Sequence, residues 1–307
     1  VPSPGARSLG ALAAAFLLVL SSGRAVSAAR PPAAQEVALI ALLRGPVTVA
    51  SGAQAAPRPA ALFDRLAPGA VVETGAGAAL TLVCLDGRRF AVGEASRVAI
   101  EARGPRALRG ALRPLPSLPA SAAIAPLLRA GASRSRVAAV RIRGDRDGYG
   151  VPHPVYPKNG AALLRAAATL ELSTVPGLER YQVQIEDAKG EVVFTGKATG
   201  GTLPIPKGKL APNAVYYWQV WPDDHPPPAN PEDAVFVTLS DEMERRREAV
   251  RKESKGAPDL ALLLAAADQN LGLYREACEA LQKAAATLDE PTLRATREAW
   301  RCAEWGR

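Results

Sequence analysis

The sequence predicts a multidomain chain, with two all-β modules followed by an α-helical region. Three observations carry this. At 307 residues the chain is longer than one ordinary core needs. Short apolar runs punctuated by glycine and turn residues recur between Gly69 and Ile100, and again between about Val151 and Leu239. From Asp241 onward the pattern turns helical.

The first segment belongs to none of these modules. Arg7 precedes a twelve-residue apolar run, Leu9 to Leu20, and the small residues Val26 and Ala28 follow. That pattern reads as a secretory signal over residues 1–28, cleaved near Ala28; the run is shorter than the ~20 residues of a membrane span. No later run is long and apolar enough to span, so the mature chain is expected to be exported and to lack a membrane span. Ala, Arg, Gly and Pro dominate, and Val1 stands where Met is usual, which reads as a GTG start. The expected setting is the periplasm or exterior of a Gram-negative, high-GC bacterium.

The first β module is expected over residues 36–101. Val47 to Val49 follows Gly45-Pro46 as a short strand. Ala79 to Leu85 is apolar on both faces, as in a strand covered on both sides. Asp86-Gly87 predicts a type I′ hairpin turn with positive φ at both residues. Arg88 to Val92 and Arg97 to Ile100 follow as strands. Leu66, Gly69, Thr74-Gly75, Ala78, Leu80, Leu82, Asp86-Gly87, Phe90, Val92-Gly93, Ser96, Val98 and Ile100 together resemble the FecR-like domain. That domain is the extracytoplasmic part of iron-citrate-type sensor regulators and occurs in stand-alone exported proteins. The resemblance covers about a fifth of the chain and implies an all-β fold.

Residues 102–148 read as a basic, Pro- and Ala-rich linker. Of the net +8 charge, most sits here: ten Arg and one acid, Asp145, lie between Ala102 and Arg146. Such a strip can meet an anionic polymer. No aromatic residue lies between Phe90 and Tyr149 to stack on bases, so nucleic acid is not expected. Arg136 to Gly144 is expected to add a strand to a neighbouring module, and Arg143-Gly144-Asp145 is read as a chance tripeptide.

A β-sandwich is expected over residues 149–239. Its strands are placed at Thr169–Leu172, Arg180–Ile185, Glu191–Thr195, Val215–Trp221 and Ala234–Leu239, with Asp187 to Gly190 as a hairpin loop. Leu210, Pro212 and Tyr216 have the spacing of a tyrosine corner, in which a Tyr hydroxyl locks a connection between sheets. Tyr216, Trp218 and Val220 then share one face. These features resemble a fibronectin type III or related immunoglobulin-like domain. Leu170 and Leu172 stand where such domains often carry an early Trp.

Residues 240–307 read as helical. Asp241 to Ser254 is expected as a solvated connector, because its apolar stripe is little more than Met243 and Val250. Further helices are placed from Pro258 to Gly272, Tyr274 to Leu288 and Pro291 to Trp305. Leu264, Ala265, Gly272, Tyr274, Ala277, Leu281 and Ala284 resemble one tetratricopeptide-like repeat. One repeat cannot bury its own faces, so it either caps the sandwich or docks a partner. Cys278 and Cys302 lie nearly equidistant from the turn near Asp289-Glu290, so antiparallel helices bring them level. In an oxidising compartment this predicts a disulfide, the alternative being two facing thiols. Cys84 is left as a small core residue.

Candidate chemistry is sparse. The two histidines, His153 and His225, lie in Pro-rich loops without zinc-ligand spacing. Asp223-Asp224-His225 sits where a sandwich displays an end loop; a weak Ca²⁺ site there is the sharp reading and a solvated turn the plain one. No catalytic, cofactor or metal residue is assigned, and no enzyme is expected. The sequence predicts an exported interaction or scaffold protein of the cell envelope, with a protein or an envelope polysaccharide as partner. The alternative is an accessory component of envelope signal transduction.

Overall fold

In a computed structural model, the residues described are 36–52, 55–117, 124, 126–128, 152–158, 160–228, 234–255 and 258–305. The segment read as a secretory signal, the Arg143-Gly144-Asp145 tripeptide and the strand expected over Arg136 to Gly144 lie outside them. The described chain is mostly β, with helices at its C-terminal end.

Ten strands form the first body: β1 (Ala38–Arg44), β2 (Val47–Ala50), β3 (Arg58–Pro59), β4 (Arg65–Leu66), β5 (Val71–Thr74), β6 (Ala79–Cys84), β7 (Arg89–Val92), β8 (Arg97–Glu101), β9 (Gly104–Arg109) and β10 (Leu112–Leu115). They make two five-stranded sheets, ordered β10-β7-β6-β1-β4 and β3-β2-β5-β8-β9. The sheets share one core. Ile40, Leu80 and Leu82 come from the first sheet, and Val49, Val72, Val98 and Ile100 from the second.

The hairpin at Asp86-Gly87 differs from the expected type I′ turn. Cys84 N donates to Arg88 O at 2.8 Å and Gly87 N to Cys84 O at 2.9 Å, so Leu85, Asp86 and Gly87 form a three-residue loop. Only Gly87 takes a positive φ, 93°. This is a type I turn closed by a glycine bulge, so Asp86 keeps an ordinary backbone. Its carboxylate instead accepts from Arg88 N at 3.1 Å and Arg88 Nε at 2.9 Å. The Arg88 guanidinium holds that carboxyl below its usual range.

A second correction concerns the linker. Residues 104–115, read as its start, extend both sheets as β9 and β10. Their side chains are largely exposed, so the stretch looks unstructured by composition. Pairing of β9 with β8 and of β10 with β7 supplies the order.

The second body contains β11 (Pro154–Tyr156), β12 (Ala161–Leu163), β13 (Thr169–Leu172), β14 (Arg180–Asp187), β15 (Val192–Thr199), β16 (Thr202–Pro204), β17 (Val215–Pro222) and β18 (Ala234–Thr238). A three-stranded sheet, β11-β13-β16, packs over a five-stranded one, β12-β18-β17-β14-β15. β12 pairs parallel to β18, so the first strand of this body is split between the two sheets. Leu170 and Leu172 are buried in this core, and Trp218 fills its centre. Trp218 Nε1 donates to Pro157 O at 2.7 Å, satisfying the indole where water is excluded.

The helices are α1 (Asp241–Glu253), α2 (Pro258–Leu271), α3 (Tyr274–Lys283), α4 (Glu290–Ala299) and α5 (Cys302–Trp305). Ser240 caps α1 by accepting from Met243 N, and Asp289 caps α4 by accepting from Thr292 N at 2.8 Å. α2 ends in a Schellman motif: Leu273 N donates to Asp268 O at 2.9 Å and Gly272 takes φ 81°. Gly272 O then accepts from Ala162 N of β12 at 2.8 Å, so the helix end is hydrogen-bonded to the second body.

α2 is buried almost all round. Leu262 enters the core of the first body. Leu260, Leu263, Leu264, Ala267 and Leu271 form a third core with Leu39, Ala41 and Val83 from the outer face of the first body. Ala162, Leu239 and Val250 complete that core from the second body and α1. The helix pair α2–α3 therefore packs against both β bodies, and residues 35–307 cluster as one unit.

The solvated connector expected over Asp241 to Ser254 is corrected by this packing. α1 buries Arg247 and Val250. Arg247 Nε and Nη2 donate to Asp268 Oδ1 and Oδ2 at 2.7 and 2.8 Å, a bidentate pair on α2. Sequence pattern misses this because the buried residue is an arginine, not an apolar one. The last helix is corrected too. It breaks after Ala299, where Arg301 takes φ 55° and Arg301 N donates to Glu298 O.

Two predictions follow from the buried pair. Arg247→Ala leaves a carboxylate without its partner and is expected to cost about 3–5 kcal/mol, while the apolar double variant Arg247→Met/Asp268→Leu recovers most of it. Urea unfolding of the three proteins checks this. Burial pushes the Asp268 carboxyl up to about 6, with Arg247 opposing. A raised carboxyl favours the folded state most below its unfolded pKa of ~4, and that share is lost as pH rises through about 6. Stability measured from pH 4 to 7 should fall less in Asp268→Asn than in the wild type.

Candidate functional site

The tyrosine at the sandwich connection forms a lock. Tyr216 Oη accepts from Ala211 N at 2.7 Å, and its ring stacks on Phe236 at 5.3 Å. Leu210 is buried beside it, while Pro212 is exposed and Asn213 takes φ 53°. A second lock escaped the sequence reading: Tyr181 Oη accepts from Val175 N and donates to Leu178 O, both at 2.8 Å. These roles are structural.

Cys278 of α3 and Cys302 of α5 are joined by a disulfide with Cα atoms 5.6 Å apart. Cys84 is a free thiol buried in β6, and burial pushes it up to about 11.

The histidines are tied to neighbours. The His153 ring lies 2.9 Å from Ser173 Oγ, and the His225 ring 2.8 Å from Asp224 Oδ1. The end loop carrying Asp223-Asp224-His225 borders a shallow cleft with Gly177, Leu178, Glu179 and Arg180. Asp223 faces Lys197 at 2.9 Å there. Among the described residues, no group of three or more His, Cys, Asp or Glu side chains could hold a metal ion.

A different cleft combines more unusual features. It lies between the first β body and the helices, with a volume of about 230 Å³. Leu39 of β1, the turn Leu62 to Arg65, Leu128, three α2 residues (Ala266, Gln269, Asn270) and Trp300 line it. At its wall the Phe63 and Trp300 rings stack directly on each other, centroids 5.1 Å apart and 17° between planes, and both are half-buried.

Phe63 has φ 68°, a left-handed conformation rare for a bulky side chain. The surroundings hold it there. Phe63 N donates to Ile40 O at 2.8 Å, Ile40 N to Asp64 O at 3.0 Å, and the Asp64 carboxylate accepts from Ala61 N at 2.9 Å. Such strain, of order 1–3 kcal/mol, persists where neighbours over-determine it, and it clusters at ligand sites.

The charges in this cleft are compensated. Asp64 pairs with Arg58 at 2.7 Å. Arg65 pairs with Glu36 at 3.0 Å and donates to Leu128 O at 2.9 Å. What remains is amide chemistry. Gln269 Oε1 is shut off from solvent without a hydrogen-bond partner, and Asn270 Nδ2 makes only a long 3.5 Å contact to Leu128 O.

No family model matches the chain. A search of curated proteins also finds no match. The site therefore stands on its own geometry.

No residue assigned a site role from the sequence lies in this cleft. Phe63, Gln269 and Trp300 are far apart in the chain, so only the fold assembles them. The one local signal was Trp300 on an amphipathic helix, which reads as core. The stack should be measurable: a double-mutant cycle on Phe63→Ala and Trp300→Ala is expected to give a coupling of about 0.5–1.5 kcal/mol in urea unfolding.

Proposed function

We propose that this chain is a non-enzymatic, exported interaction protein of the bacterial cell envelope. The observation that carries the reading is the Phe63–Trp300 cleft. It offers stacked rings, amides and neutralised charges, a lining suited to holding a partner rather than transforming it. The paired sheets of the first body, with glycine-closed hairpins, are in keeping with a FecR-like module. The split first strand and the order β11-β13-β16 over β12-β18-β17-β14-β15 support a fibronectin type III or immunoglobulin-like reading of the second. The Cys278–Cys302 bridge fits an oxidising compartment. Among the described residues, no helix is long and apolar enough to cross a membrane.

The partner is an envelope polysaccharide or protein. A regulatory accessory role is the second reading, and the FecR-like resemblance favours it. Crosslinking in cells followed by mass spectrometry separates them. Recovery of glycan-linked or assembly components supports the interaction role, a membrane sensor or sigma regulator supports the second, and recovery of cytoplasmic partners alone overturns both.

A further inference from the structure

We propose that β15 pairs antiparallel with β15 of a second copy of this chain, joining two sandwich sheets into one across a two-fold axis. The pairing goes beyond the envelope role and holds whatever the envelope partner is.

A sheet edge presents unpaired N–H and C=O groups. It recruits another strand unless it is short, charged, proline-bearing or covered. Among the described residues the four sheets end in eight edge strands, and seven of them are guarded. β3 and β4 are two residues long, and β11, β12 and β16 are three. β10 carries Pro114, and β9 carries Pro105, Arg106 and Arg109. β15 is the exception. It runs for eight residues, has no proline and holds one charge, Lys197. Val192 at its start is 53% exposed, more than any other large apolar side chain among the described residues.

The β14–β15 ladder fixes which groups face the open side. Gly200 N donates to Glu179 O at 3.3 Å, so these two residues form a hydrogen-bonded pair. Bonded and non-bonded pairs alternate along an antiparallel ladder. Thr199, Lys197 and Thr195, opposite Arg180, Gln182 and Gln184, therefore aim their N–H and C=O groups away from β14. Their side chains are exposed as well.

The character of this edge selects a second copy over a foreign segment. Lys197 is met by Asp223 of its own chain at 2.9 Å, so no unanswered charge on the strand selects an acidic or a basic peptide. Threonines pair well with one another across strands. A single open edge per chain also closes on itself. Antiparallel pairing of identical strands is isologous, uses up both edges and stops at two copies. A second open edge would have continued into a filament.

Sedimentation velocity and hydrogen exchange read by mass spectrometry test this on the purified protein. The contact is small, so a weak dimer is expected to form between about 2 and 200 µM. Exchange is expected to slow with rising concentration in the peptide covering residues 191–200. The double variant Thr195→Lys/Thr199→Lys sets three lysines against three and is expected to weaken the dimer at least tenfold. Thr195→Pro removes one outward N–H, spares the bonds to β14 and is expected to do the same. Leu108→Lys, on the guarded edge β9, is expected to leave the dimer unchanged. Thermal melts accompany each variant, and the double lysine variant carries the test if Thr195→Pro unfolds. The pairing is overturned if the protein stays monomeric at about 200 µM, if a dimer forms without slower exchange at β15, or if the folded double lysine variant dimerises as the wild type does.

Discussion

Everything in this protein depends on how α2 is buried. A helix as apolar as "LALLLAAA" cannot lie on a surface; it needs cover on all sides. One β sheet covers only one side of it. The chain solves this by placing the outer face of β1 and β6 on one side, and α1, Ala162 and Leu239 on the others. β1 therefore has to be apolar on both faces, with Ile40 turned to its own core and Leu39 and Ala41 turned to the helix. The two β bodies are thus not beads on a string. Their relative placement is set by the helix that both must cover.

Hydrophobic contact alone does not fix the orientation of such an assembly, because it is not directional. Arginines do so here. Arg89 of β7 reaches Asp259 in the first turn of α2. Arg165 of the second body reaches Asp241 and Glu244 on α1. Arg275 of α3 binds the carboxylate of Glu171 on β13 through both terminal nitrogens and lies 3.7 Å over the Tyr156 ring. The planar guanidinium holds two oxygens in fixed geometry, which lysine cannot do. A composition rich in arginine therefore serves architecture as well as net charge. Glu276, beside this group, is pushed up by burial, which adds to the pH sensitivity set by Asp268.

The sequence was legible where structure is local. Alternating strands follow from neighbouring residues, and so does the place of the Asp86-Gly87 loop, though not its turn type. β13, β14, β17 and β18 lie where period-two patterns place them. It was illegible where order is borrowed. β9 and β10 have exposed side chains and are ordered by pairing with β8 and β7. α1 is anchored by a buried arginine that any amphipathic count treats as surface. The cleft was the least legible feature. Its aromatic and amide residues come from a strand-connecting turn, the end of α2 and the break after α4, and no spacing relates them.

That break joins the chemistry of the cysteines to the cleft. α4 stops at Ala299, and the left-handed Arg301 turns the chain into α5. Trp300, at this corner, is two residues from Cys302. The bridge to Cys278 ties α5 to α3, whose Leu281 packs in the first β core and whose Ala277 is buried. A loop of 24 residues closed in this way stabilises by roughly 3–4 kcal/mol in the chain-entropy model. Its more specific effect is on position. Phe63 is fixed from the sheet side by backbone hydrogen bonds, and Trp300 from the helix side by a covalent link two residues away. Two rings that belong to different structural bodies are thereby brought into register at one opening. The strain at Phe63 is retained because backbone hydrogen bonds on one side and the stacked Trp300 ring on the other over-determine its position.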